Sequence, residues 1–286
     1  MIWAWLALAA AGALGFYWLF VIAEGTYLGS RVVAWTYDLV AGRYDAIKQF
    51  NPLDESWFVA GPLLRAVAGV ERPLILDVAT GTGRLPQALL RSQFGAGGGQ
   101  IVGLDLSRGM LRQARAKLQG GGEGVSLVWQ DAGRLPFDDG AFDAVTCLES
   151  LEFMPRPRAV LAEMVRVLAP GGVLLLTNRV GREARLLPGR AIPRPAFEET
   201  LAGLSLREIE VRRWQVNYDL AIARKEGTAQ RAGAGGVELA GLVRCPVCLG
   251  RMEGDGQGLT CRACRRSYAV HNGIVCLMKS KEQGKP

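Results

Sequence analysis

The chain has 286 residues, 49% hydrophobic and 21% charged, which excludes a disordered polymer and leaves room for one sizeable α/β domain plus something smaller. A net charge of +7 suits nucleic acid, an anionic membrane surface or a plain arginine bias, and selects none of them. The single histidine, His271, argues against a His-dependent triad or a multi-histidine metal site in the main domain, whereas six cysteines leave a thiolate site open.

Residues 1–23 carry no charged side chain. About 20 apolar residues at helical rise suffice to cross a hydrocarbon core, so this stretch reads as one transmembrane helix with Trp3, Trp5, Tyr17 and Trp18 as ring anchors. A cleaved signal peptide competes through the small residues Ala9–Ala13, but a basic start is missing and the apolar run continues well beyond them. A buried core helix fits less well, because the segment is apolar all round. Arg31, Arg43 and Lys48 are the first basic residues after the span, so the positive-inside tendency places the bulk of a single-pass protein in the cytoplasm.

Residues 24–70 form a helical connector in which Tyr37-Asp38 and Tyr44-Asp45 recur seven residues apart, roughly on one helical face. Packing of this face on a core is the first reading, and a lid over a substrate pocket is the alternative.

Strands and helices alternate from Leu74 onward, the pattern of a parallel sheet covered on both faces. Leu74–Ala79 reads as a strand that breaks at Gly81-Thr82-Gly83 into helix Arg84–Ser92. The glycine-rich loop Gly95–Gly99 leads to strand Gln100–Asp105 and to helix Ser107–Gln119, for which Ser107 is the candidate N-cap. Strands Val125–Gln130 and Phe142–Leu148, helix Pro157–Leu168, the turn Ala169–Gly172 and strand Val173–Asn178 follow. One helix and two strands, Leu206–Arg213 and Val216–Ala223, bring the count to about seven strands. Residues 226–238 are small, polar and linker-like. In residues 239–280, Cys245-Pro-Val-Cys248 and Cys261-Arg-Ala-Cys264 stand twelve residues apart, the spacing of two knuckles that close a tetrahedral Zn²⁺ site. Two disulfides are the competing assignment. A module of about 40 residues needs such a staple to fold. Cys147 and Cys276 lie in apolar runs and read as small buried hydrophobes.

Four spaced features make the glycine turn specific. Asp105 ends a strand about twenty residues after the turn, the offset from which a carboxylate accepts both ribose hydroxyls. Asp131 ends the next strand, in reach of an exocyclic amino group. Met110 falls in the helix after Asp105, placed to lie against a base, and Leu168–Val173 closes a helix and restarts the sheet. A nicotinamide-dinucleotide enzyme would use Asp105 equally well, but leaves Asp131 and the Pro170-Gly171-Gly172 turn without a role.

Taken together, DVATGTG, VGLDLSRGML, DAGRLPFDDGAFDAVTC and EMVRVLAPGGVLLLTN resemble the successive motifs of class I S-adenosyl-L-methionine-dependent methyltransferases, most of all the ubiquinone/menaquinone and sterol C-methyltransferases, across residues 70–225. The resemblance implies an α/β Rossmann-like seven-stranded sheet, last strand antiparallel, with helices on both faces and the cofactor over the C-terminal strand edges. It assigns Asp77, Gly81 and Gly83 to the methionine end, Asp105 to the ribose, Met110 to the adenine face, and Asp131 with Ala132 to the adenine edge. Ala79, where the usual first glycine stands, Leu106 and Leu148 complete the implied cofactor-binding set. Acceptor-contacting residues of this family follow the fourth strand, where Glu149 and Glu152 are candidate catalytic carboxylates; a solvated helix start is the plainer account of them. An Asn-Pro-Pro-Tyr motif is missing from that segment, which argues against a DNA, tRNA or glutamine acceptor. The tail, LVRCPVCLGRM and LTCRACRRSYAVHNGIVCLM, resembles the small zinc-ribbon activators of tRNA and translation-factor methyltransferases, with Tyr268 and Asn272-Gly273-Ile274 matching the stretch after the second knuckle. These features point to a membrane-anchored methyltransferase for a hydrophobic or amphipathic small acceptor such as a quinone, isoprenoid or lipid. An RNA or protein methyltransferase that recruits through the ribbon, and a non-enzymatic scaffold, are the alternatives.

Overall fold

The structure is a computed structural model that describes residues 1–92, 94, 97–118, 124–228, 236–255 and 257–278. Parts of the expected Gly95–Gly99 loop and of the 226–238 linker, the end of helix Ser107–Gln119 and the last residues of the ribbon lie outside the described residues.

Helix α1 (Ile2–Tyr17) runs on through a π-helical turn, Trp18–Ile22, into one apolar rod. The 21 residues Ile2–Ile22 have a mean hydropathy of 1.9, and at helical rise they extend about 31 Å, enough by length and composition to cross a bilayer core. None of α1 is buried against the rest of the chain. The connector then folds as short helices: α2 (Ser30–Val40), α3 (Tyr44–Lys48), α4 (Pro52–Glu55) and α5 (Gly61–Ala66).

The α/β domain proper comprises β1 (Leu74–Val78), α6 (Arg84–Leu90), β2 (Gln100–Asp105), α7 (Arg108–Leu118), β3 (Val125–Trp129), β4 (Phe142–Cys147), α8 (Pro157–Val167), β5 (Leu168–Arg179), α9 (Gly181–Ala184), α10 (Arg194–Ala202), β6 (Leu206–Gln215) and β7 (Tyr218–Lys225). The tail adds α11 (Leu239–Leu242), β8 (Met252–Asp255), β9 (Gly258–Cys261), β10 (Ser267–His271) and β11 (Ile274–Cys276). β1 and β4 are buried along their whole length and are mostly apolar, and the polar side chains they bury are hydrogen-bonded: Asp143 accepts from the Leu74 amide at 2.9 Å, and Thr146 Oγ1 donates to Asp77 at 2.7 Å. Ser107 caps α7 as expected, its hydroxyl accepting from the Met110 amide at 3.0 Å. The expected turn at 169–172 is instead a bulge inside β5: Phe142 pairs with Leu168, Ala144 with Val173, and the residues between loop out.

The sheet corrects the expected strand number. Among the described residues it has 11 strands, in the order β6-β7-β5-β4-β1-β2-β3-β11-β10-β9-β8, rather than seven. Its first seven follow the expectation, with β1 to β5 parallel and β7 antiparallel to β5 and β6. The extra four belong to the cysteine-rich tail, whose β11 pairs in parallel with β3 through Ile274–Leu127, Val275–Val128 and Cys276–Trp129. An uncovered β3 would present a row of unpaired backbone groups, and β11 occupies it. Arg244 donates its amide to Pro136 O at 2.7 Å and ion-pairs with Asp138. Val243, Met252, Tyr268 and Val275 join the same buried cluster as Val128, Leu135 and Phe137.

The connector is fastened through its repeated aspartates. Asp38 Oδ1 accepts from Ser107 Oγ (2.6 Å) and from the Gly109 amide (2.7 Å) at the start of α7. Asp45 accepts from Thr82 Oγ1 at 2.6 Å and ion-pairs with Lys117. The seven-residue period therefore turns both aspartates onto the domain, and the tyrosines beside them face the cavity described next.

Candidate active site at the switch point of the sheet

β1 lies between β2, which continues toward β3, and β4, which continues toward β5, so the connections leave in opposite directions there. A crevice forms at the C-terminal strand ends of such a switch point. Immediately after β1, Ala79, Gly81 and Gly83 have φ of +56°, +55° and +79°. Ala79 thus holds a left-handed conformation at a cost of about 1–2 kcal/mol for an L-residue. A Cβ on Gly81 would meet nothing within 4 Å, whereas one on Gly83 would lie 3.2 Å from Ala114 Cβ. Gly81 therefore keeps the turn open toward a ligand, and Gly83 lets α6 pack against α7.

The crevice is a cavity with about 120 Å³ of internal space. Ala79, Gly81, Asp105 and Leu106 line its β1–β2 side, Met110 and Leu148 its walls, and Asp131 and Ala132 the end nearest β3. The structure thus brings eight of the ten expected cofactor-binding residues into one space. Gly83 does not line it. Asp77 borders only a smaller adjoining cavity, and both its oxygens are engaged by Thr80 Oγ1 (2.6 Å) and Thr146 Oγ1 (2.7 Å), which tie the turn and β4 to β1.

Asp105 accepts from the Gly81 and Ser107 amides, each at 2.8 Å. Burial pushes its carboxyl up to about 6 against the opposing pull of those two amides. Asp131 accepts from the Gly133 amide at 2.7 Å, which shapes the loop that carries Ala132 into the cavity.

Glu149 and Glu152 diverge. Glu149 lines the cavity, with φ +49°, but its carboxylate is held by Arg84 Nη1 at 2.9 Å and its amide donates to Thr177 Oγ1 at 2.6 Å. Glu152 is 1% exposed and accepts from Tyr218 OH (2.6 Å) and Arg179 Nη1 (3.3 Å), away from the cavity lining. Burial raises the Glu152 carboxyl, with Tyr218 and Arg179 opposing the rise. A free general base is therefore not formed by this pair.

Sequence reasoning missed two parts of the site. Arg84, just beyond the glycine turn, bridges Glu149 and Glu55 (3.0 Å) and lies 4.2 Å from the Phe50 ring centroid; nothing in its position along the chain signals that role. The connector also supplies Val33, Ala34, Tyr37 and Tyr44 to the cavity opposite Phe153, Met154 and Val160, an apolar wall whose signal was the Tyr-Asp repeat.

In the tail, the Sγ atoms of Cys245, Cys248, Cys261 and Cys264 lie within 4.8 Å of one another. Cys245 and Cys264 are 3.6 Å apart and Cys248 and Cys261 are 3.5 Å apart. These separations are close to the edge of a tetrahedron with Zn–S bonds of about 2.3 Å, roughly 3.8 Å, and far from a bonded S–S distance of about 2.05 Å. A Cβ on Gly250 would come 2.9 Å from Cys261 Sγ and 3.3 Å from Cys248 Sγ, so only glycine leaves the thiolates free to converge.

Residues 76–176 match the family model of a methyltransferase domain. Over 142 residues the chain is 41% identical to a demethylmenaquinone methyltransferase of Clavibacter sepedonicus, covering 49% of this chain and 55% of that protein. It is 39% identical over 142 residues to a ubiquinone/menaquinone biosynthesis C-methyltransferase of Desulfotalea psychrophila, covering 48% and 53%. The chain spans about half the length of the curated relatives it matches. Among solved structures, the [4+2]-cyclase SpnF aligns with a TM-score of 0.56 at 20% identity over 70% of this chain and 97% of that one. A chain from a complex between a Haloferax volcanii methyltransferase activator and a methyltransferase aligns with a TM-score of 0.51 at 20% identity, over 67% and 98%. These two likenesses establish the fold, and the cyclase shows that this fold carries more than one chemistry.

Proposed function

We propose that the chain is an S-adenosyl-L-methionine-dependent methyltransferase, anchored in a membrane by residues 1–23, whose acceptor is a hydrophobic or amphipathic small molecule of quinone, isoprenoid or lipid type. The observation that carries the proposal is the single cavity that gathers Gly81, Asp105, Met110, Asp131 and Ala132 at the switch point. In this reading Asp105 accepts from the ribose hydroxyls, Met110 lies on the adenine face, and Asp131 with the Ala132 backbone meets the adenine edge. Ala79 and Gly81 face the methionine end, with Asp77 setting the turn through Thr80, while Leu106 and Leu148 fill the sides.

Bound there, the cofactor supplies a sulfonium methyl already activated for in-line displacement. The chain's part is proximity and a dry site: Tyr37, Phe153, Met154 and Val160 form the apolar wall against which an acceptor is aligned. Arg84 holds the Glu149 carboxylate in place through their ion pair at 2.9 Å. Residues 71–225 act as the catalytic domain, 226–238 as a linker and 239–280 as a zinc ribbon whose Zn²⁺ is structural, held by the four convergent thiolates. The names of the curated relatives support a quinone-type acceptor, the 21-residue apolar rod supports a span, and Arg31, Arg43 and Lys48 just beyond it support the cytoplasmic side for the catalytic domain.

Calorimetry of the zinc-loaded full chain with S-adenosyl-L-methionine tests the reading. One saturable site per chain is expected, and a folded chain that takes up no cofactor refutes it.

A further inference from the structure

A second concave feature lies outside the cofactor cavity. It is a solvent-open groove of about 1110 Å³ between the start of α8 and the segment from the end of β5 to α10. Six arginines line it: Arg156, Arg158, Arg179, Arg182, Arg185 and Arg194. Two of them are neutralised, Arg179 by Glu152 and Glu183, and Arg194 by Glu198 and Asp219. The guanidinium groups of Arg156, Arg182 and Arg185 have no carboxylate or hydrogen-bond partner among the described residues, and that of Arg158 reaches only the Thr200 hydroxyl, at 3.4 Å. All four are exposed. Unbalanced charge concentrated in one concavity sets up a field that attracts an anion.

The location of the groove selects the anion. Trp18, in the last turns of the apolar rod, donates its indole N–H to Leu186 O at 3.0 Å, and Tyr27 OH donates to Pro188 O at 2.9 Å. The Trp18 and Tyr27 rings stack at 5.1 Å, and Arg190 holds Thr26 O at 3.1 Å as well as Met154 O at 3.2 Å. The base of the rod is thus fastened to the segment that carries Arg182 and Arg185. Leu186 lies between Arg185 and Leu187 and is 44% exposed beside the rod. If the rod crosses a bilayer, this segment sits at headgroup depth, where phosphates face its arginines and apolar tails face Leu186. Pro155 lines both the groove and the cavity, so the groove opens beside the cavity mouth.

We propose that this arginine groove is a binding site for the phosphate headgroups of anionic phospholipids, seating the cavity mouth against the membrane surface. The proposal rests on the reading of Ile2–Ile22 as a span, and its test separates the two.

The full chain in neutral detergent is titrated with dihexanoyl-phosphatidylglycerol, with dihexanoyl-phosphatidylcholine, with inorganic phosphate and with a short RNA oligonucleotide. In parallel, membranes containing the chain are extracted with alkaline carbonate. Saturable binding of phosphatidylglycerol is expected, with little binding of phosphatidylcholine or phosphate. About 1 kcal/mol per arginine near an anionic surface is about fivefold in affinity, so R182Q/R185Q weakens phosphatidylglycerol binding about 30-fold. Neither guanidinium has a partner among the described residues, so the double variant keeps the parent melting temperature. Equal binding of both lipids, an unchanged affinity in R182Q/R185Q, phosphate that competes as well as the lipid, or tighter RNA binding through the same arginines each overturns the headgroup site. Retention of the chain through carbonate without any anionic preference refutes the groove and leaves the span. Release by carbonate with the preference intact refutes the span and leaves an anionic-headgroup groove.

Discussion

Replacing Asp105 by asparagine keeps the size of the side chain and removes its charge. In the unliganded chain the carboxylate accepts from the Gly81 and Ser107 amides, each at 2.8 Å, and lines the cavity. A neutral amide accepts through one oxygen and turns a donor toward the second partner. Hydrogen bonds to a charged group are worth about 1.5–3 kcal/mol, so loss of the ribose acceptor is expected to weaken S-adenosyl-L-methionine binding about 10- to 150-fold. The pH dependence has a definite sign. Burial holds the folded carboxyl at about 6, above its ordinary range, so the unliganded fold retains that proton more tightly than the unfolded chain does. This carboxyl's contribution to stability is therefore full below about pH 4 and declines as pH rises toward about 6. Cofactor affinity runs the other way: the ionised form accepts the hydroxyls, so affinity falls about tenfold per unit below about pH 6 and is flat above it. Calorimetry of the parent and of Asp105→Asn across this range measures both effects, with thermal melting as the check on folding. A loss of less than threefold at neutral pH in a natively melting variant, or a parent affinity that does not change with pH, refutes the assignment of Asp105.

Glu152→Gln is expected to leave cofactor affinity within about twofold while lowering the melting temperature, because the amide still meets Tyr218 but no longer balances the half-buried Arg179; a loss in cofactor binding equal to that of Asp105→Asn means the site is misplaced. Ala79→Gly relieves the left-handed alanine at φ +56° and gives back part of the gain as unfolded-chain entropy, for a net stabilisation of about 0.5–1 kcal/mol, read as a rise in the denaturation midpoint; a fall contradicts the strain. Gly250→Val crowds Cys248 and Cys261, so elemental analysis should show zinc falling from about one per chain to a trace, and chelation of the parent should reproduce the variant's melting curve; a variant with full zinc refutes the cradle.

The parts of the fold legible in the sequence were those dictated by local pattern. Buried parallel strands are mostly apolar, so β1 and β4 stand out in the sequence, and a carboxylate just after a strand has few places to point other than the crevice, which is why Asp105 and Asp131 line the cavity as the sequence suggests. Cysteine spacing revealed the thiolate cluster because two knuckles bring their own ligands together. What stayed hidden depends on contacts between distant segments. The three-residue β11 carries no mark of the strand it joins, since its register with β3 is set by how the ribbon docks through Val243 and Arg244. Glu149 and Glu152 looked alike at three residues' spacing, and only the positive φ of Glu149 and the Tyr218–Arg179 pair send them to different environments. The arginine groove draws on residues scattered from 156 to 194, so its concentration of charge exists only in the folded chain.

Transfer of label from methyl-tritiated S-adenosyl-L-methionine by the full chain, offered a fractionated lysate that includes membrane lipids, tests the central claim most directly. Label is expected in the organic-soluble, lipid and quinone fraction, and its appearance there should disappear with Asp105→Asn. Label confined to RNA or protein, or no transfer by a chain that binds the cofactor, contradicts the account.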